Sequence, residues 1–206
     1  MDGAVTLAAG AGAGLLYRQT GAWARPSCPC DRADVWAVDR WAITGDTPGS
    51  ETPANVAVLA GLIGPLLLSG WVASDTKSWA NDALLITEAV AVSGLITQGL
   101  KLGFSRPYPY MYGPARWPEQ NADGVNYASF PSGHTALPMA AAVAFAEIMA
   151  RRHGAEPWVW VARIVGPALA LTAGALQVRA RNHFLTDVVA GGALGYGIGW
   201  GVVALH

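Results

Sequence analysis

Charge is what this chain of 206 residues has least of: Asp, Glu, Lys and Arg make up only 13% of it, about half the share of an ordinary soluble domain. The charges also cancel, 13 basic against 14 acidic for a net charge of −1, so the basic excess of a nucleic-acid-binding protein is missing. Two cysteines, Cys28 and Cys30, are too few for a disulfide scaffold. Polar low-complexity tracts are absent as well, and an apolar share of 52% excludes a disordered chain. What the sequence does hold is 25 Gly, 13 Pro, 9 Trp and a series of long apolar runs. That is the composition of a polytopic membrane protein built from Ala/Gly-rich helices.

A membrane-spanning helix needs about 20 mostly apolar residues. Five segments meet or approach that length: 54–73, 83–102, 134–150, 158–176 and 185–205. A sixth, weaker segment covers 3–17. It has no basic start and so does not read as a secretory signal. The expected fold is therefore an all-α bundle of about six transmembrane helices forming one membrane domain over 1–206. Within it, 1–53 holds the weak first helix and a polar loop, and 54–206 forms the core. Small residues recur at four-residue spacing, on one helical face, at Gly10/Gly14, Ala57/Gly61 and Gly191/Gly195/Gly199. Such stripes predict close backbone packing and say nothing about chemistry. In the first polar loop, 33–43 places Val35, Trp36, Val38, Trp41 and Ala42 near one helical face, which reads as an interfacial amphipathic helix or a cap on the bundle. Cys28 and Cys30 have one residue between them, too few for an easy disulfide. Glu88, Glu147 and Arg163 fall inside spans, and the cost of burying charge predicts that Arg163 bonds at least one of the glutamates.

Three clusters carry potential chemistry. The first, Lys101-Leu-Gly-Phe-Ser-Arg106-Pro107-Tyr108-Pro109, ends the third run, where basic residues also commonly mark a membrane boundary. The second, Phe130-Pro131-Ser132-Gly133-His134-Thr135, opens a helix. The free N–H groups of such a helix start attract anions, Ser132 adds a hydroxyl and His134 a proton donor, although a Ser/Thr cap has the same appearance. The third is Arg179-Ala-Arg181-Asn182-His183-Phe-Leu-Thr-Asp187. His183 and Asp187, four apart, share a helical face, so the carboxylate can fix the imidazole tautomer and leave the other nitrogen free as nucleophile or base. Alternation of the spans brings all three clusters to one membrane face. Cations, a helix N-terminus and two histidines together suit phosphoryl transfer, which runs on positioning and charge neutralisation.

With Pro131-Ser132-Gly133-His134, the His183-x-x-x-Asp187 pair and Lys101 in place, the sequence resembles the type 2 phosphatidic acid phosphatase and vanadium haloperoxidase superfamily. The likeness runs from about residue 55 to 205. It departs at two points: the family's two arginine positions hold Tyr108 and Gln177, and Arg106, Arg179 and Arg181 lie nearby out of register. The resemblance implies that His183 attacks phosphorus, that Asp187 orients it and that His134 protonates the leaving oxygen. It also implies that Lys101, Ser132 and the Gly133 N–H bind phosphate oxygens, with Arg106, Arg179 and Arg181 as candidate replacements for the lost pair. No metal or cofactor is implied, nor any nucleic-acid partner. The expected substrate is a lipid phosphomonoester or diphosphate, hydrolysed through a phosphohistidine at the membrane. The alternatives are an inactive lipid-binding or structural member and a vanadate-dependent peroxidase. The family's site faces away from the cytoplasm, so Cys28 and Cys30 would meet an oxidising compartment. The distribution of Lys and Arg, nine on the site face and four on the other, points the opposite way. The aromatic loop from 107 to 130, with Tyr108, Tyr110, Tyr112, Trp117, Tyr127 and Phe130, reads as a lid or an interfacial belt.

Overall fold

The structure is a computed structural model that describes residues 2–28, 30–44, 49–112 and 123–206, and every regular element among them is helical. The elements are α1 (Asp2–Trp23), the single turn α2 (Trp41–Thr44), α3 (Glu51–Val72), α4 (Thr76–Phe104), α5 (Gly133–His153), α6 (Pro157–Arg179) and α7 (Leu185–Leu205), with short 3-10 turns between them. Local chemistry sets the ends. Asp75 accepts the Ser78 N–H at 2.8 Å and caps the start of α4, which stops at Ser105 in the left-handed region, φ 44°. Gly154, at φ 63°, ends α5, and Pro157 sits in the first turn of α6, where its missing N–H costs nothing. Among the described residues five helices, α3 to α7, are long and apolar enough to cross a membrane.

The bundle is built around α5, which packs against α3, α4, α6 and α7. In its apolar stretch 72% is buried, against 22–39% for the other four spans, whose outer faces are left for lipid. Alanine makes this possible: Ala136, Ala140, Ala141, Ala142, Ala144 and Ala146 surround the α5 axis, and all are buried. Small side chains on every face let several neighbouring backbones come close. The closest seam is with α7. A methyl group added at Gly191, Gly195 or Gly199 would lie 2.4, 2.2 or 2.6 Å from the carbonyl oxygens of Ser132, Ala136 and Ala140. Gly61 of α3 meets Pro138 in the same way, at 2.7 Å. The expected stripe on α1 is different: Gly10 and Gly14 face open space, and α1 instead meets α4 through Gly12 against Leu95 and Ala13 against Gly94.

Charges inside the bundle are paired. Arg163 Nη2 donates to Glu147 Oε2 at 3.0 Å, as expected, and Glu88 lies 3.5 Å from His206 Nε2. Arg152 grips Asp82 with both guanidinium nitrogens, tying the end of α5 to α4.

Two expectations need correction here. Residues 33–43 do not form one amphipathic helix. They make 3-10 turns at Arg32–Asp34 and Ala37–Asp39 and run into α2. Val35, Ala42 and Ile43 pack inward with Phe184 and Val188, while Trp36, Val38 and Trp41 stay exposed and Asp39 is fully buried. A buried carboxylate needs particular partners, and that need overrides the helical periodicity of the apolar residues. Cys28 and Cys30 are joined as a disulfide, their Cα atoms 4.4 Å apart, at the lower end of the range a disulfide can bridge.

Candidate active site

Three chain segments are pinned to one point. Beyond α4 the chain runs as a short extended stretch against the approach to α5: the Tyr108 N–H donates to Asn126 O and the Ser129 N–H to Arg106 O, both at 3.1 Å. Lys101, buried on the last turn of α4, donates to Ala128 O in the same stretch. The Ser132 N–H then donates to Asp187 O at 3.0 Å, joining the start of α5 to the start of α7. Because Gly191 carries no side chain, the Ser132 backbone can lie directly on α7. The three sequence clusters therefore converge, and the groups they bring together are Lys101, Ser132, Gly133, His134, His183 and Asp187.

His183 Nε2 lies 3.2 Å from His134 Nδ1. On its other side, His183 Nδ1 is 3.6 Å from Asp187 Oδ2, close enough for an ion pair but beyond ordinary hydrogen-bond length. Asp187 is held independently of the histidine. Its Oδ2 accepts the Phe184 N–H at 2.8 Å, so it also caps its own helix, and its Oδ1 accepts from Arg106 at 2.5 Å. His183 is buried, and burial pushes its pKa below the ordinary histidine value, with the neighbouring Asp187 carboxylate opposing that shift. That direction favours the neutral imidazole, the form in which a ring nitrogen is nucleophilic.

The two histidines open onto a cavity of about 560 Å³, within the usual size range of small-molecule sites. Lys101, Tyr108 and Tyr110 form part of its wall, with Asn182 beside His183. The two tyrosine rings are stacked, their centroids 5.2 Å apart, and Tyr108 is 5.9 Å from the His183 ring. The described aromatics Tyr108, Tyr110, Tyr112 and Tyr127 of this loop are thus turned inward. Tyr127 is fully buried and Tyr112 packs edge-on to Phe184; Trp117 lies outside the described residues.

The three arginines named from the sequence are not in this wall. Arg106 points to the back of Asp187, between Asp187 and Asp39. Arg179 is exposed at the end of α6, and Arg181, at φ 62°, is half-buried and does not line the cavity. The physical reason is local: Arg106 and Arg181 lie past the helix ends, beyond or at a left-handed residue (Ser105 at φ 44°, Arg181 at φ 62°), so neither continues the helical face on which the offset is counted. Gln177, at one of the family's arginine positions, is buried and has a structural task. It donates to Asn55 Oδ1 at 3.2 Å and accepts from Asn182 Nδ2 at 2.8 Å, fixing the asparagine that lines the cavity.

Sequence reasoning missed two contributors from the N-terminal part. Tyr17, Arg18 and Thr20 of α1 line the cavity, and Arg18 has no hydrogen-bond or ion-pair partner among the described residues. Asp39 stands behind Asp187. Neither belongs to a motif, so only the packing of α1 on α4 and the fold of the 30–44 segment reveal them.

Residues 82–206 match the PAP2 superfamily, more than half of the chain. The chain belongs to this superfamily. Lipid A 1-phosphatase from Porphyromonas gingivalis is 30% identical over 149 residues, which cover 70% of this chain and 28% of that protein. The chain thus spans under a third of the length of that relative. The crystal structure of a transmembrane PAP2-type phosphatidylglycerolphosphate phosphatase from Bacillus subtilis superposes with a TM-score of 0.60 at 21% identity, covering 82% of each chain. It shares the helical fold. With five helices long and apolar enough to cross a membrane, this PAP2 chain is an integral membrane protein.

Proposed function

We propose that this protein is a lipid phosphatase that removes a phosphate from a lipid phosphomonoester or diphosphate through a phosphohistidine. The observation that carries the reading is the pairing of His183 Nε2 with His134 Nδ1, 3.2 Å apart at the cavity floor, with Asp187 behind His183 and Lys101 beside them. A bound phosphate takes the place of the direct contact between the rings. His183 Nε2 attacks phosphorus as the P–O bond to the lipid breaks, and His134 gives its proton to the departing oxygen. Water then attacks the phosphohistidine, His134 takes the water proton, and His183 is released with inorganic phosphate. Lys101, the Ser132 hydroxyl and the Gly133 N–H neutralise the phosphate oxygens, and Arg18 at the cavity wall supplies a guanidinium that Tyr108 and Gln177 cannot. The chemistry needs only these groups. The names of the relatives, one acting on lipid A and one on phosphatidylglycerolphosphate, support a lipid-linked phosphate as substrate.

The site face is proposed to be extracytoplasmic, in the inner or plasma membrane. The Cys28–Cys30 disulfide supports this, because it lies beside Tyr127 on the same face and disulfides persist in oxidising compartments. The enclosure of Arg106 between two carboxylates favours a second reading, an inactive member that binds lipid or serves a structural role.

The test is phosphate release by detergent-purified protein from phosphatidic acid, phosphatidylglycerolphosphate, lipid A and polyprenyl diphosphate, beside His183→Ala. Release that vanishes in the variant supports the phosphatase. Equal background from both proteins on every lipid overturns it in favour of the second reading.

A further inference from the structure

Asp39 lies far from the family motifs in sequence, yet it is fully buried at the start of α7. Its Oδ1 accepts the Thr186 N–H at 3.0 Å, and its Oδ2 accepts the Thr186 hydroxyl at 2.6 Å and Arg106 Nη2 at 2.9 Å. The other arm of the same guanidinium, Nη1, donates to Thr186 Oγ1 at 2.7 Å and to Asp187 Oδ1 at 2.5 Å. The plane of Arg106 is further fixed by the Phe184 ring, 4.0 Å from its Cζ. Asp187 then turns its remaining oxygen to His183.

We propose that Asp39 is a positioning residue for the nucleophile: with Arg106 it forms a carboxylate–guanidinium–carboxylate chain that holds Asp187, and through it His183. The proposal rests on the phosphatase reading. Its physical logic has two parts. A guanidinium bound to one carboxylate alone would neutralise it, leaving little charge to hold the imidazole. Shared with Asp39, Arg106 fixes the geometry of Asp187 and leaves it charge for His183. Capping α7 would need only the Thr186 contacts, so a cap does not account for the bonds from Arg106 to both carboxylates. The chain also explains why an arginine close to a family phosphate-binding position does not line the cavity. It has become part of the support for the orienting acid.

The experiment compares wild type with Asp39→Asn, which keeps shape and hydrogen-bonding oxygen, with Arg106→Gln and Arg106→Lys, and with the Asp39→Asn/Arg106→Gln double variant. Three readouts are taken: kcat and KM on the best lipid of the panel, the inhibition constant of inorganic phosphate, and the NMR titration of the His183 ring. Around that ring the charged and titratable groups are Asp187, His134, Lys101 and Tyr108. Each single variant is expected to lower kcat about 10-fold or more, with KM and phosphate inhibition within about 2-fold. Arg106→Lys retains part of the rate. The double variant falls no further than Arg106→Gln, because both residues act through one chain. The His183 midpoint moves up in Arg106→Gln, where Asp187 loses its cation, and down in Asp39→Asn, where Arg106 turns wholly to Asp187. Weaker phosphate inhibition with unchanged kcat would put Arg106 on the substrate and overturn the proposal. So would additive losses in the double variant, or unchanged kcat in Asp39→Asn and Arg106→Gln. The titration needs no turnover. If wild type releases no phosphate yet the two opposite shifts are seen, the positioning chain stands and the phosphatase reading falls; if the shifts are missing, the chain falls whatever the activity. A variant that does not fold in detergent shows a lost thermal transition, and Arg106→Lys then carries the comparison.

Discussion

Lys101, His134, His183 and Asp187 come from the stretch that matches the family, whereas Tyr17, Arg18, Thr20 and Asp39 come from the residues before it. The first set sits on helix ends locked by the α5–α7 glycine seam and by backbone bonds such as Ser132 to Asp187. The second set arrives on a helix that packs chiefly on α4 and on a segment of short turns. The difference teaches where each kind of information resides. The motif histidines and Asp187 are placed by close packing of helix on helix. The α1 residues that line the cavity and Asp39, behind Asp187, are added from outside that packing.

The comparison breaks hardest at His183. If the motif region alone carries the chemistry, His183→Ala reduces phosphate release to background, and Asp187→Asn, which keeps the shape but loses the charge, costs up to about 10⁴-fold in kcat by analogy with other orienting carboxylates. Steady-state assays on the best lipid measure both. At the rim a smaller effect is expected. Arg18→Gln should raise KM about 10-fold and Arg18→Lys less, since lysine keeps charge but not the two-pronged geometry; an unchanged KM would remove α1 from substrate binding.

Packing offers a contrast of the same kind. Gly195→Ala sets a methyl 2.2 Å from the Ala136 carbonyl, and the cost of overpacking is about 1–3 kcal/mol, read as a lower thermal midpoint in detergent. Gly10→Ala meets nothing within 4 Å and should leave the midpoint unchanged or slightly higher, because alanine is the better helix former.

The smallest effect is the titration of His183. Burial lowers its pKa, so the folded state favours the neutral ring, and its contribution to stability is present above the ordinary value of 6.5 and lost as pH falls below it. NMR should find the midpoint below 6.5, and lower still in Asp187→Asn, because the carboxylate is what holds it up.

Much of the molecule was readable without coordinates. Long apolar runs with few charges can hardly be anything but spans, since an unpaired charge in lipid is expensive, and the same cost predicted that Arg163 bonds at least one of Glu88 and Glu147, of which the fold supplies Glu147. Pro131-Ser132-Gly133-His134 and the four-residue step from His183 to Asp187 are local patterns, and a helix converts them into neighbours by its own geometry. The readings that changed all depended on partners distant in sequence. Gly10 and Gly14 have ideal spacing but no helix facing them, while Gly12 does. Residues 33–43 have helical periodicity, yet Asp39 is drawn in by Thr186 and Arg106, and the segment breaks into turns around it.

Length, periodicity and spacing were enough for the all-α membrane class, for the existence of the five main spans and for the one-turn step that puts His183 and Asp187 on one face, although α4 begins at Thr76, ahead of its apolar run at 83. Only the tertiary structure decided which way the arginines face: Arg106 toward Asp187 and Asp39, Arg179 toward the outside, Arg18 toward the cavity. A flexible cationic side chain near a helix end has several directions open to it, and the choice is made by whichever carboxylate or cavity the rest of the fold places within reach.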